Sequence, residues 1–142
     1  MDIRALSPTF AVSPQIDVAD VPAIAQAGYR HVICNRPDAE VPPSHSAAAV
    51  ETAVKDAGMT FTYLPVSHMS LTQDMVDQQS KIVAEIDGPV FAYCASGTRS
   101  SIVWSYSQAG KVPTDQIIEA TTRAGYDLGG MRAALDTLAQ RS

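Results

Sequence analysis

Val90-Phe91-Ala92-Tyr93-Cys94-Ala95-Ser96-Gly97-Thr98-Arg99-Ser100 is the stretch on which the reading of the fold turns. Pro89 precedes a short run of apolar residues, the pattern of a central strand buried on both faces. Such a strand needs helices on both sides of its sheet. The run stops at a cysteine and passes a small-residue turn at Gly97. It then becomes a helix predicted from Arg99 to Ala109, with Ile102, Val103 and Tyr106 inward.

Outward from this stretch, apolar periodicity alternates strands with helices. Strands are predicted over Thr9–Val12, Tyr29–Cys34 and Thr60–Val66. Asp17 is a candidate cap for a helix with Val21, Ile24, Ala25 and Gly28 on one face. Ser44 or Ser46 opens a second, with Val50, Ala53, Val54 and Ala57 together, and Ser70 or Thr72 a third, with Val76, Val83 and Ile86 inward. Thr114 and Asp127 are read as caps of the last two helices, carrying Ile117 and Ile118, and then Leu128, Met131, Leu135 and Leu138. Strand–helix alternation implies a three-layer α/β sandwich: a mostly parallel sheet of four to five strands between helices. Ligands of such sheets sit at the carboxyl ends of the strands. Cys94, the Asn35-Arg36 pair and the Ser67-His68 pair all follow strands, so one edge should carry all three.

The chain of 142 residues is read as one domain, residues 1–142. With 46% hydrophobic and 18% charged residues it is an ordinary globular sequence, not a disordered one. A formal net charge of −5 disfavours nucleic acid and anionic membranes as partners. Any anion must be bound by a local device. No apolar run approaches a membrane span, and the start Met1-Asp2-Ile3-Arg4 is no secretory signal, so a cytoplasmic protein is expected. Cys34 and Cys94 are the only cysteines. They leave no disulfide framework or zinc cluster, and neither metal nor cofactor is expected.

The segment Cys94 to Ser100 meets three physical needs. A cysteine is a useful nucleophile only as thiolate. A helix N-terminus supplies unpaired N–H groups and a partial positive charge that favour that form. Gly97 lets successive N–H groups turn into one concavity, and Arg99 supplies a planar fork for oxyanion oxygens. Ser100 and Ser101 stand where a hydroxyl can reach the thiolate or cap the helix. Cys94 and Arg99 are therefore the candidate catalytic pair. Ala95, Ser96, Gly97, Thr98 and Ser100 complete an anion-binding loop.

At this loop the sequence resembles two related designs. Tyrosine and dual-specificity phosphatases place five residues between cysteine and arginine. Rhodanese-type sulfurtransferases use a loop one residue shorter, and four residues separate Cys94 from Arg99. Nearly the whole chain is similar to the phosphatase-like domain of the beta-lactamase-hydrolase-like proteins (domain of unknown function 442). The resemblance rests on Ser13-Pro14-Gln15, on Val32-Ile33-Cys34-Asn35-Arg36-Pro37-Asp38, on Cys94 to Ser100, and on Gly125-Tyr126-Asp127-Leu128. It implies a dual-specificity-phosphatase-like fold with a rhodanese-like loop. In some relatives it also implies a persulfide dioxygenase as partner and a link to sulfide oxidation. Ala95 departs from the family pattern, which commonly has arginine there, and removes a positive charge at the mouth.

Two features weigh sulfur against phosphate. A shorter loop suits one terminal sulfur better than three phosphoryl oxygens. Phosphatase chemistry also needs an acid for the leaving group, usually an aspartate on a nearby loop. The loop after the Thr60–Val66 strand reads Ser67-His68-Met69-Ser70, with no aspartate before Asp74. His68 is the substitute there, set against an ordinary loop histidine. The main expectation is thus a rhodanese-type sulfurtransferase, with a small anionic sulfur donor and a Cys94 persulfide. The alternatives are a phosphocysteine-forming phosphatase acting on a phosphoester, and an inactive anion- or partner-binding module.

Four accessory residues are open. Cys34 is a small buried hydrophobe or a disulfide partner for Cys94. Arg36 adds charge at the site or is a solvated loop residue. Asp38 is a general acid or a surface charge, and Glu40 is read as a surface charge. Trp104 is read as core or as a contact between subunits of a homo-oligomer.

Overall fold

The computed structural model describes residues 2–67 and 71–141. Its centre is a five-stranded sheet of order β1-β2-β5-β3-β4, with β1 at Arg4–Ser7, β2 at Phe10–Ser13, β3 at His31–Cys34, β4 at Thr60–Tyr63 and β5 at Val90–Tyr93. β2, β5, β3 and β4 run parallel, and β1 pairs antiparallel with β2. The α/β sandwich expected from the sequence is the observed fold.

β5 lies in the middle, and its alternation builds the two cores. Phe91 and Tyr93 face a layer made by α1 (Val21–Gln26) and α2 (Ala47–Asp56), packed with Ile24, Val50, Val54 and Val32. Val90 and Ala92 face the other layer. There they join Val12, Ile33, Trp104, Ile117 and Leu135, with Trp104 stacked on Phe10. That layer holds α3 (Gln73–Glu85), α4 (Thr98–Gln108), α5 (Thr114–Arg123) and α6 (Arg132–Gln140). Trp104 is core. Among the described residues no helix is long and apolar enough to cross a membrane.

Several sequence expectations are corrected. β1 lies outside the strands predicted from the sequence: only one neighbour pairs with it, across the tight Ser7-Pro8-Thr9 turn, and its register slips between Ala5 and Ser7. Apolar patterning is weak in such an edge. Asp17 precedes a 3-10 turn, Val18–Asp20, rather than α1 itself. Ser46 is the side-chain cap of α2, and Thr72 that of α3; Ser70 lies outside the described residues. Pro113 rather than Thr114 precedes α5. Asp127 caps nothing, because a 3-10 turn, Gly129–Met131, leads into α6.

The largest correction concerns α4. It is not amphipathic with Ile102 inward. It is buried nearly all round, through Arg99, Ser100, Ser101, Val103, Trp104, Ser105 and Ser107. Its serines tolerate burial because they bond locally: Ser101 Oγ to the Gly97 carbonyl at 2.7 Å, Ser105 Oγ to Ser101 at 2.8 Å and Ser107 Oγ to Trp104 at 2.6 Å. A buried helix leads straight from the cysteine loop into the core, so the loop has a rigid base.

Candidate active site

The register puts Ser13, Tyr93 and Cys34 level on three adjacent strands. Pro14, Cys94 and Asn35 therefore leave the sheet side by side. The Cys94 amide continues the ladder to the Ser13 carbonyl at 3.4 Å, and the Asn35 amide bonds the Tyr93 carbonyl at 2.8 Å. The three segments form one edge, as the strand order requires.

From Cys94 the chain curls back through Gly97, whose φ of +97° only glycine adopts without strain. The curl aims the Gly97 amide at the Cys94 sulfur, 3.1 Å away. Ser96 Oγ accepts the Thr98 amide at 3.3 Å and donates to Thr98 Oγ1 at 2.9 Å. The Gln15 amide bonds the Ala95 carbonyl at 3.1 Å, so the segment after β2 straps the outer arm. Cys94 is fully buried while Ala95 and Ser96 beside it are exposed. The loop thus curls over Cys94 with the Gly97 amide turned to the sulfur.

Arg99 occupies the first turn of α4 and is 6% exposed. Its two terminal nitrogens grip Glu40, with Nη1 to Oε2 and Nη2 to Oε1 both at 2.8 Å, and Nη1 also reaches the Val66 carbonyl at 2.8 Å. Arg36 supports the same acid from outside: Nε donates to Glu40 Oε1 at 3.3 Å, Nη2 to the Glu40 carbonyl at 3.2 Å and Nη1 to Gln15 Oε1 at 3.3 Å. The Arg99 hydrogen bonds hold the Glu40 carboxyl below its usual range and outweigh the opposing effect of burial. In return Glu40, and after it the nearby Cys94 sulfur, raise Arg99 further above neutrality. The arginine fork is thus held by an internal carboxylate, fixed in one plane beside the cysteine.

Glu40 is the residue sequence reading missed. Its carboxylate sits between two guanidiniums, not on an idle surface. The usable signal was its place in a long irregular stretch directly after a strand, where functional side chains concentrate.

Neither Ser100 nor Ser101 is hydrogen-bonded to the sulfur. Ser100 Oγ donates to Asn35 Oδ1 at 2.8 Å, and Ser101 turns to Gly97. Asn35 in turn donates to the Leu64 carbonyl at 3.0 Å and to Gln79 Oε1 at 3.4 Å, a buried polar network beneath the site. Asp38 is an exposed charge tied to the backbone. Its Oδ1 accepts the Ala47 amide at 2.7 Å and so holds the start of α2, while its own amide bonds Tyr63 Oη at 2.9 Å. Cys34 ends β3 with its thiol donating to the Arg36 carbonyl at 3.3 Å, and burial raises its pKa. His68 lies outside the described residues.

A buried cysteine under a backbone N–H, with a clamped arginine one turn into the following helix, at the carboxyl edge of a parallel sheet, defines a cysteine-phosphatase-like α/β domain. The chain belongs to the beta-lactamase hydrolase-like protein phosphatase-like domain family, whose model matches residues 2–111. It is similar to the Beta-lactamase hydrolase-like protein of Agrobacterium fabrum, at 32% identity over 122 residues, 84% of this chain but 28% of that protein. The chain therefore spans under a third of that curated relative. Among solved structures it resembles a candidate phosphatase of Neisseria meningitidis Z2491, with 34% identity, a TM-score of 0.85 and coverage of 97% of this chain and 99% of that one. Tk-PTP in its active form shares the fold at 14% identity, with a TM-score of 0.77 and coverage of 99% and 98%. The domain is phosphatase-like. The names of these relatives give the sulfur-transfer expectation no support.

Proposed function

We propose that this domain is a cysteine-dependent phosphatase acting on phosphate monoesters. The observation that carries the reading is the Gly97 amide, 3.1 Å from the Cys94 sulfur, beside an Arg99 already held by Glu40. A thiolate at that point attacks phosphorus as the ester P–O bond breaks, and an S–P bond forms. The departing oxygen takes a proton from solvent. Water then attacks phosphorus, the S–P bond breaks, and orthophosphate leaves with the thiolate restored under the same N–H. Arg99 needs no reorganisation to meet the phosphoryl charge, because Glu40 and Val66 fix it beforehand. The phosphatase names of the family and of the Neisseria relative support this reading.

Sulfur transfer is the second reading, favoured by one observation: four residues, not five, separate Cys94 from Arg99. The test is to supply the purified protein with an aryl phosphate or with thiosulfate and to follow turnover and intact mass. Cys94-dependent release of phosphate, with a trapped phosphoryl adduct on Cys94, is expected. A persulfide on Cys94 after thiosulfate, together with no phosphate release, overturns the phosphatase reading for the second one.

A further inference from the structure

Tyr126 stands between α5 and α6, far along the chain from Cys94 and beyond residue 111, where the family match ends. It is 5% exposed, and its hydroxyl donates to the Ser96 carbonyl at 2.9 Å. It also fills the space a side chain at position 97 would need. A Cβ placed on Gly97 would lie 1.9 Å from Tyr126 Oη. Arg4 of β1 covers the ring, its guanidinium 5.0 Å from the centroid, and ties itself to the Ala124 carbonyl at 3.3 Å.

The Ser96 carbonyl and the Gly97 amide belong to one peptide unit. That unit is planar and trans, so its C=O and N–H point in opposite directions. Tyr126 grips one edge, and the Cys94 sulfur sits at the other, 3.1 Å from the N–H. Gly97 is the kind of residue whose freedom would otherwise let this unit rotate.

We infer that Tyr126 is a positioning residue: by holding the Ser96 carbonyl, it keeps the Gly97 amide aimed at the Cys94 sulfur. Its hydroxyl bonds the loop backbone and not the Cys94 sulfur. Burial raises the phenol's pKa, which keeps its proton available for donation. The C-terminal helical segment and β1 thereby become part of the anion loop's geometry, although neither contributes a residue to the loop. The inference rests on Cys94 as the nucleophile.

Tyr126→Phe tests it, since the ring and its packing under Arg4 are retained. Two quantities are read: ultraviolet thiolate absorbance of Cys94 against pH, each taken as a difference from the matching Cys94→Ser protein, and kcat and KM for an aryl phosphate. Loss of an aligned charge-assisted hydrogen bond should shift the thiol–thiolate equilibrium about tenfold towards thiol. It should also lower kcat about tenfold with KM changed less than about twofold. Arg4→Gln, which leaves the hydroxyl but frees the ring, should act in the same direction by about two- to threefold, and it carries the test if Y126F is unstable. A wild-type protein without Cys94-dependent turnover overturns the nucleophile reading. Wild-type turnover and titration left unchanged by both variants overturns the role of Tyr126 alone.

Discussion

Two cysteines leave the same edge of the sheet from adjacent parallel strands, and the backbone around each presents opposite polarity. At the end of β5 the chain turns into a long buried helix, and the sulfur of Cys94 receives an N–H from Gly97. At the end of β3 the chain enters a proline-rich loop, and the thiol of Cys34 donates to the Arg36 carbonyl. A donor facing sulfur stabilises negative charge there, and a carbonyl facing it stabilises the protonated thiol. Burial alone does not distinguish the two, since both are buried. What does is whether an α-helix starts within four residues, as α4 does after Cys94. The difference teaches that the polarity a sulfur meets at this edge is set by the turn after the strand, not by the cysteine.

The sharpest way to break this comparison is to exchange each sulfur for oxygen. Cys94→Ser should reduce aryl phosphate turnover by at least about a thousandfold while the thermal midpoint stays close to wild type. Retention of a few per cent of activity would remove Cys94 from the chemistry.

A strong but smaller effect is expected at the turn itself. Gly97→Ala forces a side chain into a φ of +97° and against Tyr126. The variant should lose about 2–3 kcal/mol of stability by denaturant titration, and most of its turnover. A stable, active G97A would mean that the tight curl is not what distinguishes Cys94 from Cys34.

Glu40→Gln probes the arginine that belongs to the Cys94 side alone. It leaves a buried guanidinium with the Val66 carbonyl and no carboxylate, so stability should fall by about 2 kcal/mol, less than for a fully buried pair because Glu40 is partly exposed. The effect should depend on pH. Arg99 holds the Glu40 carboxyl below its ordinary value of 4.5. Its contribution is therefore fully present above that value and is lost as pH falls through the lower, folded value. Melting curves of wild type and E40Q should converge in acid. A gap that persists undiminished there would contradict the ion pair as its cause.

Cys34→Ser should do least. The hydroxyl can donate to the same carbonyl, so turnover should stay within about threefold of wild type and stability within about 1 kcal/mol. A large loss of turnover would tie Cys34 into the chemistry and erase the contrast.

The legible parts of this molecule were those set by local pattern. Val90–Tyr93 reads as a buried central strand and is one, and the segment after it forms the loop and helix that its glycine and polar residues suggest. Asn35 and Arg36 were placed at the right edge by strand order alone. The roles of Asp38, Glu40 and Ser100 were not legible, because each depends on a partner distant in sequence: Ala47, Arg99 and Asn35. α4 was misread for a related reason. A helix whose serines bond back to its own carbonyls can be buried on every side, and that pattern has no hydrophobic periodicity to detect.

The sequence by itself determined the layer architecture, the parallel edge on which Cys94 and Asn35 meet, and the glycine turn that follows Cys94. Apolar spacing and glycine act over a few neighbours, so their consequences can be read along the chain. Only the tertiary structure decided that Arg99 is held by Glu40 with Arg36 behind it, that Tyr126 grips the Ser96 carbonyl, and that Cys34 faces a carbonyl. These are hydrogen bonds between segments far apart in sequence, made when strands and helices pack. Their direction depends on side-chain and peptide orientations that no local spacing specifies.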